Sequence, residues 1–345
     1  MARPIAVVLA TLWSAVDGLV VNETELKATT SCRVLPGTQH DEVVCFPRVL
    51  LLGARRTGTT ALFDFLIKHK LIVPPGGPKE NTRICKLTAQ TSRDYEGHVG
   101  RNLAERLESR GNPSLEPLLT LEASPTNTVC PGPQGLKHRM RFIAQTFRPR
   151  AIFLHRDPID RAWSEFKFFA TFKVKECAPS PQSFVDLVRA QTSTLLRCEP
   201  FFKQWLNGVR TGHGGCLKEL EDQLQDAQPF MPCGHLARVV PGFSHYFEKR
   251  WRAELGDKHV LSVTHTELLK TRMGPRLWEF LNITYTHEKK TPNLNGRLER
   301  KTPRPHPEGA AFLADLGDAE PPAEAVALLR SFYETFDPHS LTALI

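Results

Sequence analysis

The chain has 345 residues, enough for one large α/β domain or two smaller ones, and its hydrophobic (41%) and charged (24%) fractions are those of a globular protein. Its 45 Lys+Arg against 37 Asp+Glu give a net charge of +8, a bias toward anionic ligands. No long basic block and no interleaving of aromatic with basic residues points to nucleic acid, so that class of partner is set aside.

Residues 1–21 open with Met1-Ala2-Arg3 and continue as an apolar run from Ile5 to Val16, broken only by Thr11 and Ser14. One early positive charge before such a run reads as a secretory signal sequence; with Asp17 tolerated, it reaches the lower edge of a short membrane anchor. Residues 22–46 are polar and read as an irregular leader or stem. The sequons Asn22-Glu23-Thr24 and Asn282-Ile283-Thr284 are compatible with the secretory route. The eight cysteines, Cys32, Cys45, Cys85, Cys130, Cys177, Cys198, Cys216 and Cys233, contain no C-x-x-C pair and no zinc-like spacing, so no metal site is expected. In an oxidising lumen, disulfides are expected among the four from Cys177 to Cys233.

The main domain is predicted over residues 47–345. It starts with the apolar run Val49 to Leu52, which leads into Gly53-Ala54-Arg55-Arg56-Thr57-Gly58-Thr59-Thr60 and then an amphipathic run to about His69. This is the pattern of strand, tight loop and helix, in which backbone N–H groups and the helix dipole converge on an anion. The spacing Gly53-x4-Gly58 is close to the phosphate-binding loop of nucleotide hydrolases, but Thr59 stands where those carry lysine. The cations lie earlier, at Arg55 and Arg56. The plain alternative is an ordinary strand-to-helix turn.

Leu71 to Glu80 follows as an irregular stretch in which Pro74, Pro75, Gly76, Gly77 and Pro78 forbid regular structure, a rigid loop able to return Glu80 to the phosphate site. Leu118 to Glu122 reads as a strand ending in Ala123-Ser124-Pro125. Arg150 to Leu154 reads as a buried strand ending in His155-Arg156-Asp157, with Pro158 opening a helix through Phe172. Residues 173–236, with four cysteines and Gly212-His213-Gly214-Gly215, read as an insertion or lid packed on the core. A helix from Gly242 to Trp251, a strand from Lys258 to Thr264, a helix from Met273 to Leu281 and a closing helix from Val326 to Phe336 complete the pattern. Strands alternating with helices predict a single-domain, three-layer α/β fold, P-loop-like, with a central parallel sheet flanked by helices. Ligands of such sheets lie at the carboxyl ends of the strands, which puts Arg55, Arg56, Glu122 and Arg156 on one rim.

Two segments together resemble the PAPS-dependent sulfotransferases, above all the Golgi enzymes acting on heparan- or chondroitin-type glycans. The loop Arg56-Thr57-Gly58-Thr59-Thr60-Ala61-Leu62 is similar to their 5′-phosphosulfate loop, and Arg156 with Ser164 is similar to their 3′-phosphate motif. Gly242-Phe243 through Trp251, Val260 to Val263 and Glu267-Leu268-Leu269 resemble later parts of that family. The resemblance implies a cofactor, PAPS, held without metal by Arg55, Arg56, Thr57, Gly58, Thr59 and Thr60 at its 5′ end and by Arg156 and Ser164 at its 3′-phosphate. A late basic segment with Lys301, Arg304 and His306 matches a loop closing over it.

It further implies that Glu80 is the base for the acceptor hydroxyl, or less favourably an amine, while Arg56 stabilises the departing phosphate. His155 and His245 are weaker base candidates, each with a structural alternative. The acceptor implied is a carbohydrate such as a sulfated polysaccharide or glycosaminoglycan, and the compartment the Golgi lumen, as a type II membrane protein or a secreted one. The chain departs from the family where Ala123 replaces a lysine after Glu122 and where Arg56 stands for the usual lysine. Two other readings stay open: a sulfotransferase-like protein that binds nucleotide or acidic glycan without turnover, and a P-loop small-molecule kinase.

Overall fold

Four consecutive apolar residues, Val49 to Leu52, all fully buried, can only serve a strand covered on both faces, and they form the middle of the sheet. A computed structural model describes residues 32–35, 42–45, 47–69, 71–73, 119–128, 140–141, 143–144, 148–177, 180–207, 216, 239–269, 274–283 and 319–336. The strands are β1 (Cys32–Leu35), β2 (Glu42–Cys45), β3 (Val49–Gly53), β4 (Ile72–Val73), β5 (Leu119–Glu122), β6 (Arg150–His155) and β7 (Val260–Thr264). The helices are α1 (Thr59–Leu66), α2 (Pro158–Cys177), α3 (Pro181–Arg197), α4 (Glu199–Leu206), α5 (Ser244–Leu255), α6 (His265–Leu269), α7 (Gly274–Leu281) and α8 (Ala323–Phe336).

Five strands make one parallel sheet in the order β4-β5-β3-β6-β7. From β3 the chain first moves to one side, through α1 to β4 and β5, and then crosses to the other, to β6 and β7. Right-handed crossovers running to opposite sides place their helices on opposite faces. The reversal leaves a crevice between β3 and β6 at their carboxyl ends. The predicted α/β architecture with a central parallel sheet is therefore the observed one.

The elements follow from local chemistry. Asp157 caps α2, its Oδ1 accepting from the backbone N–H groups of Ile159 and Asp160, each at 2.9 Å, and Pro158 occupies the first helical position. Ser180 caps α3 with a reciprocal pair of bonds to Ser183. The sheet core continues into an aromatic cluster in which Phe202 of α4 meets Phe243, Phe332 and Phe336 at ring-centroid distances from 4.8 to 6.3 Å. Much of the described part of the predicted 173–236 insertion is thus helix packed into this core: Phe184, Val185 and Val188 of α3 are buried, and α3 also contacts α8. One disulfide joins Cys198 and Cys216, within the stretch where pairing was expected.

Residues 22–46, read as irregular, contain a short antiparallel hairpin of β1 and β2 that sets Cys32 opposite Cys45. Its strands are only four residues each, too short for alternation to announce them. Among the described residues no helix is long and apolar enough to cross a membrane. The leader at residues 1–21, Glu80, Lys301 and Arg304 lie outside the described residues.

Candidate functional site

The loop after β3 is shaped by two glycines in conformations that other residues rarely adopt, Gly53 at φ 152° and Gly58 at φ 102°. A Cβ on Gly53 would stand 2.7 Å from Thr57 Oγ1 and 2.9 Å from Leu154 Cβ, so the loop closes tightly against β6. The Gly53 N–H donates to Thr128 Oγ1 at 2.6 Å, while the Thr57 hydroxyl donates to the Ala54 carbonyl at 2.7 Å. Gly58 precedes α1, whose first turn has neither a side-chain cap nor an acidic residue. That helix start is a favourable place for an anion.

Arg56 has φ 68°, in the left-handed region that an arginine occupies only at a cost. Its Nε donates to Ser164 Oγ at 3.1 Å, and its guanidinium lies 4.8 Å from the Phe168 ring centroid. Neighbouring Arg55 sits over Phe169 at 5.3 Å. From the end of β6, Arg156 donates through Nη1 to the Arg56 carbonyl at 3.0 Å, while its buried Nε has no hydrogen-bond partner among the described residues. The three residues named in two separate sequence segments, Arg56, Arg156 and Ser164, thus meet at the crevice between β3 and β6.

Their electrostatics favour an anion. Burial lowers the Arg156 guanidinium from its usual value, with Arg56 and Arg161 adding to the effect and Asp160 and Asp157 opposing it. Burial likewise lowers Arg56, against the charge of Glu165. Glu165 is itself committed to Arg161 at 2.7 Å. Neither Arg56 nor Arg156 forms an ion pair with a described carboxylate, so two partly desolvated cations face the same space.

Among the solved structures to which the chain is similar are three sulfotransferases. A sulfotransferase from Alicyclobacillus acidocaldarius is 16% identical, with 84% of this chain and 96% of that one covered and a TM-score of 0.39. The sulfotransferase domain from the curacin biosynthetic pathway is 14% identical, at 83% and 96% coverage and a TM-score of 0.36. The sulfotransferase domain of the Synechococcus PCC 7002 olefin synthase is 15% identical, at 83% and 94% coverage and a TM-score of 0.34. At this identity and TM-score the likeness assigns neither family nor activity. No family model and no curated relative matches the chain.

Of the other sequence-predicted residues, Thr57 and Thr59 are buried in the loop, Gly58 is half-buried and Thr60 is exposed at the start of α1. Glu122 is fully buried at the end of β5, beside Leu50 of β3. His155 is withdrawn from the rim: it is 5% exposed, with Nδ1 2.9 Å from Ser244 Oγ and Nε2 2.6 Å from Glu248 Oε2. Glu248 also receives bonds from Arg252 and Ser262, so His155 ties β6 to α5 and β7 and has no ring nitrogen left for an acceptor. The His245 ring lies tilted against Tyr246 on α5, with centroids 4.4 Å apart. Among the described residues no group of His, Cys, Asp and Glu is arranged to hold a metal.

One residue of the site was missed in the sequence. His265 opens α6 directly after β7, and its ring approaches the position of a Cβ on Gly58 to 3.4 Å. Burial, then Arg156 and Arg56, push it down to about 4, so it is a neutral imidazole at neutral pH. The signal available was its position at the end of the last predicted strand, on the same rim as Gly53 and Arg156.

Proposed function

We propose that this protein transfers the sulfuryl group of PAPS to a hydroxyl of a carbohydrate acceptor. The observation that carries the reading is the convergence of Arg56, Arg156 and Ser164: two arginines without ion pairs to any described carboxylate, on two adjacent strand ends, next to a glycine loop and a helix start. A ligand that fits must bring negative charge to two places, the loop and the end of β6. PAPS, with a 5′-phosphosulfate and a separate 3′-phosphate, does so, and the buried Nε of Arg156, which has no acceptor among the described residues, is a donor suited to it.

In this reading the backbone N–H groups of residues 57–60 receive the 5′ end, while Arg156 and Ser164 receive the 3′-phosphate. PAPS supplies the sulfuryl group. Arg56 places its charge where the phosphate oxygen becomes more negative, and to reach it must exchange its bond to Ser164. Arginine is too basic to donate its proton readily, so its part is electrostatic and not that of a general acid. Thr59 at the position of the hydrolase lysine disfavours the kinase reading. Glu80 is proposed as the base that takes the acceptor proton, with Lys301 and Arg304 on a segment that covers the cofactor.

Incubation with isotopically labelled PAPS and a panel of desulfated glycans tests the proposal. Transfer of label to at least one glycan, without added magnesium, is the expected result; bound PAP with no transfer to any acceptor would leave a binding protein. Glu80→Gln should lower turnover by roughly 100-fold while leaving PAP affinity nearly unchanged.

A further inference from the structure

The opposite end of the sheet carries a second concentration of positive charge. Arg48 immediately precedes β3, Arg148 precedes β6 by two residues, Arg150 begins β6, and Lys258 with His259 leads into β7. These three strands are neighbours, and the register sets Arg150 opposite Val49 and Ala151 opposite Val260. The Arg150 N–H donates to the Arg48 carbonyl at 2.8 Å. With strands about 4.8 Å apart, the cations form a row roughly 10 Å across.

No described carboxylate forms an ion pair with any of the five. The nearest acid in sequence, Asp257, is held by Arg252 at 3.3 Å. Arg48, Arg150 and His259 are half-buried, Arg148 and Lys258 exposed. The buried Nδ1 of His259 has no hydrogen-bond partner among the described residues. Burial, followed by Lys258, Arg150, Arg148 and Arg48, lowers the His259 imidazole from its usual value, which shows how closely the charges are gathered. Gathering like charges without partners opposes folding. A stretch of fixed cations of this kind is matched by a linear polyanion.

The geometry narrows the class. Reading single-stranded nucleic acid needs open aromatic faces, yet the described ring that meets these cations, Phe280, is already faced by Arg150 at 6.0 Å. Reading a duplex in its major groove needs a helix or ribbon that enters the groove, and strand ends supply neither. A membrane surface calls for apolar side chains to insert, and the single large hydrophobic exposed among the described residues, Leu196, is on α3. A sulfated saccharide needs only charge and hydrogen-bond donors at this spacing.

We propose that Arg48, Arg148, Arg150, Lys258 and His259 form a second site, on the sheet end opposite Arg56 and Arg156, that holds a sulfated polysaccharide chain. The two ends are separated by the length of β6, about 20 Å. The chain held here is therefore a distant stretch of acceptor or product, not the reacting sugar. The choice of polysaccharide rests on the acceptor class proposed above; the existence of a polyanion site does not.

The test uses the full chain and heparin as probe. Arg148→Glu with Lys258→Glu should weaken binding of long heparin at least fivefold and make the dependence of log affinity on log salt shallower by about two. Arg197→Glu with Arg330→Glu makes the same change in net charge on the exposed faces of α3 and α8, and should leave heparin binding within twofold of the wild type. Arg48→Gln, which removes one half-buried cation, should weaken heparin binding without lowering the melting temperature. Equal losses in the two double variants, or equal affinity for a DNA duplex or anionic vesicles of matched charge, would overturn the proposal. PAP calorimetry on the same proteins separates the two readings. Normal PAP binding with no heparin effect removes the second site, whereas a failure of the wild type to bind PAP removes the sulfotransferase reading and leaves the heparin result standing.

Discussion

Arg56 is the residue on which backbone strain and the proposed function meet. Its left-handed backbone costs about 1 kcal/mol or more, and what it holds in return is a bond to Ser164 and a face against Phe168. Arg56→Gly should therefore leave the melting temperature unchanged or slightly raised, while PAP binding weakens by tenfold or more. A large fall in stability would instead mark Arg56 as structural. Arg56, Arg156 and Ser164 were legible in the sequence because each sits at a fixed offset from an apolar strand or a proline-started helix. His265 was not, because a histidine after a strand carries no local signature and its meaning comes only from packing against Gly58 and beside the two arginines.

At the scale of elements, the phosphate-type loop depends on the close approach of β3 to β6. Gly53→Ala should destabilise the protein by about 1 to 3 kcal/mol and distort the loop, since φ 152° is unfavourable and Thr57, Leu154 and Thr59 leave no room for a methyl group. Thermal unfolding checks the first effect and PAP affinity the second; a wild-type melting temperature would show that the loop is looser than its contacts. Behind the same strands, Glu248 joins β6, α5 and β7. Burial alone would raise its carboxyl; the bonds from His155 and Ser262, the charge of His155 and the bond from Arg252 outweigh it and hold it at about 2. A depressed carboxyl contributes stability above its unfolded value near 4.5, lost as pH falls toward 2. Glu248→Gln should accordingly flatten the loss of stability between pH 4.5 and 2, measured by denaturant titration, by of the order of 2 kcal/mol.

Four strands of the main sheet were readable because burial on both faces demands largely apolar runs, as at Val49 to Leu52 and Ala151 to Leu154; the edge strand β4, Ile72–Val73, was not, because its two residues stand directly before Pro74 in a stretch read as irregular loop. The partners of the strands were not readable, since order in a parallel sheet is set by crossovers and not by any residue pattern. The strand from Lys258 begins instead at Val260, residues 257–259 forming a short 3-10 turn. Helix α3 was hidden within a segment whose cysteines and prolines suggested a lid; its apolar residues face the core, but only the position of α8 shows what they meet.

Over the whole molecule, charge is divided between the two ends of one parallel sheet. The carboxyl end offers a glycine loop, a helix start and two arginines, and the amino end a row of cations, none of which forms an ion pair with a described carboxylate. The disulfide from Cys198 to Cys216 and the aromatic cluster around Phe202 lie with the helices that buttress this sheet. The account stands or falls on whether the carboxyl end is one site for both ends of PAP. Calorimetry of PAP and of adenosine 5′-phosphosulfate, which lacks the 3′-phosphate, on wild type and Arg156→Ala measures this directly. Tight, magnesium-independent binding of PAP is predicted, weakened by about 1.5 to 3 kcal/mol in Arg156→Ala, with adenosine 5′-phosphosulfate weak and nearly indifferent to the substitution. Equal affinity of wild type and Arg156→Ala for PAP, or no binding of PAP at all, would contradict it.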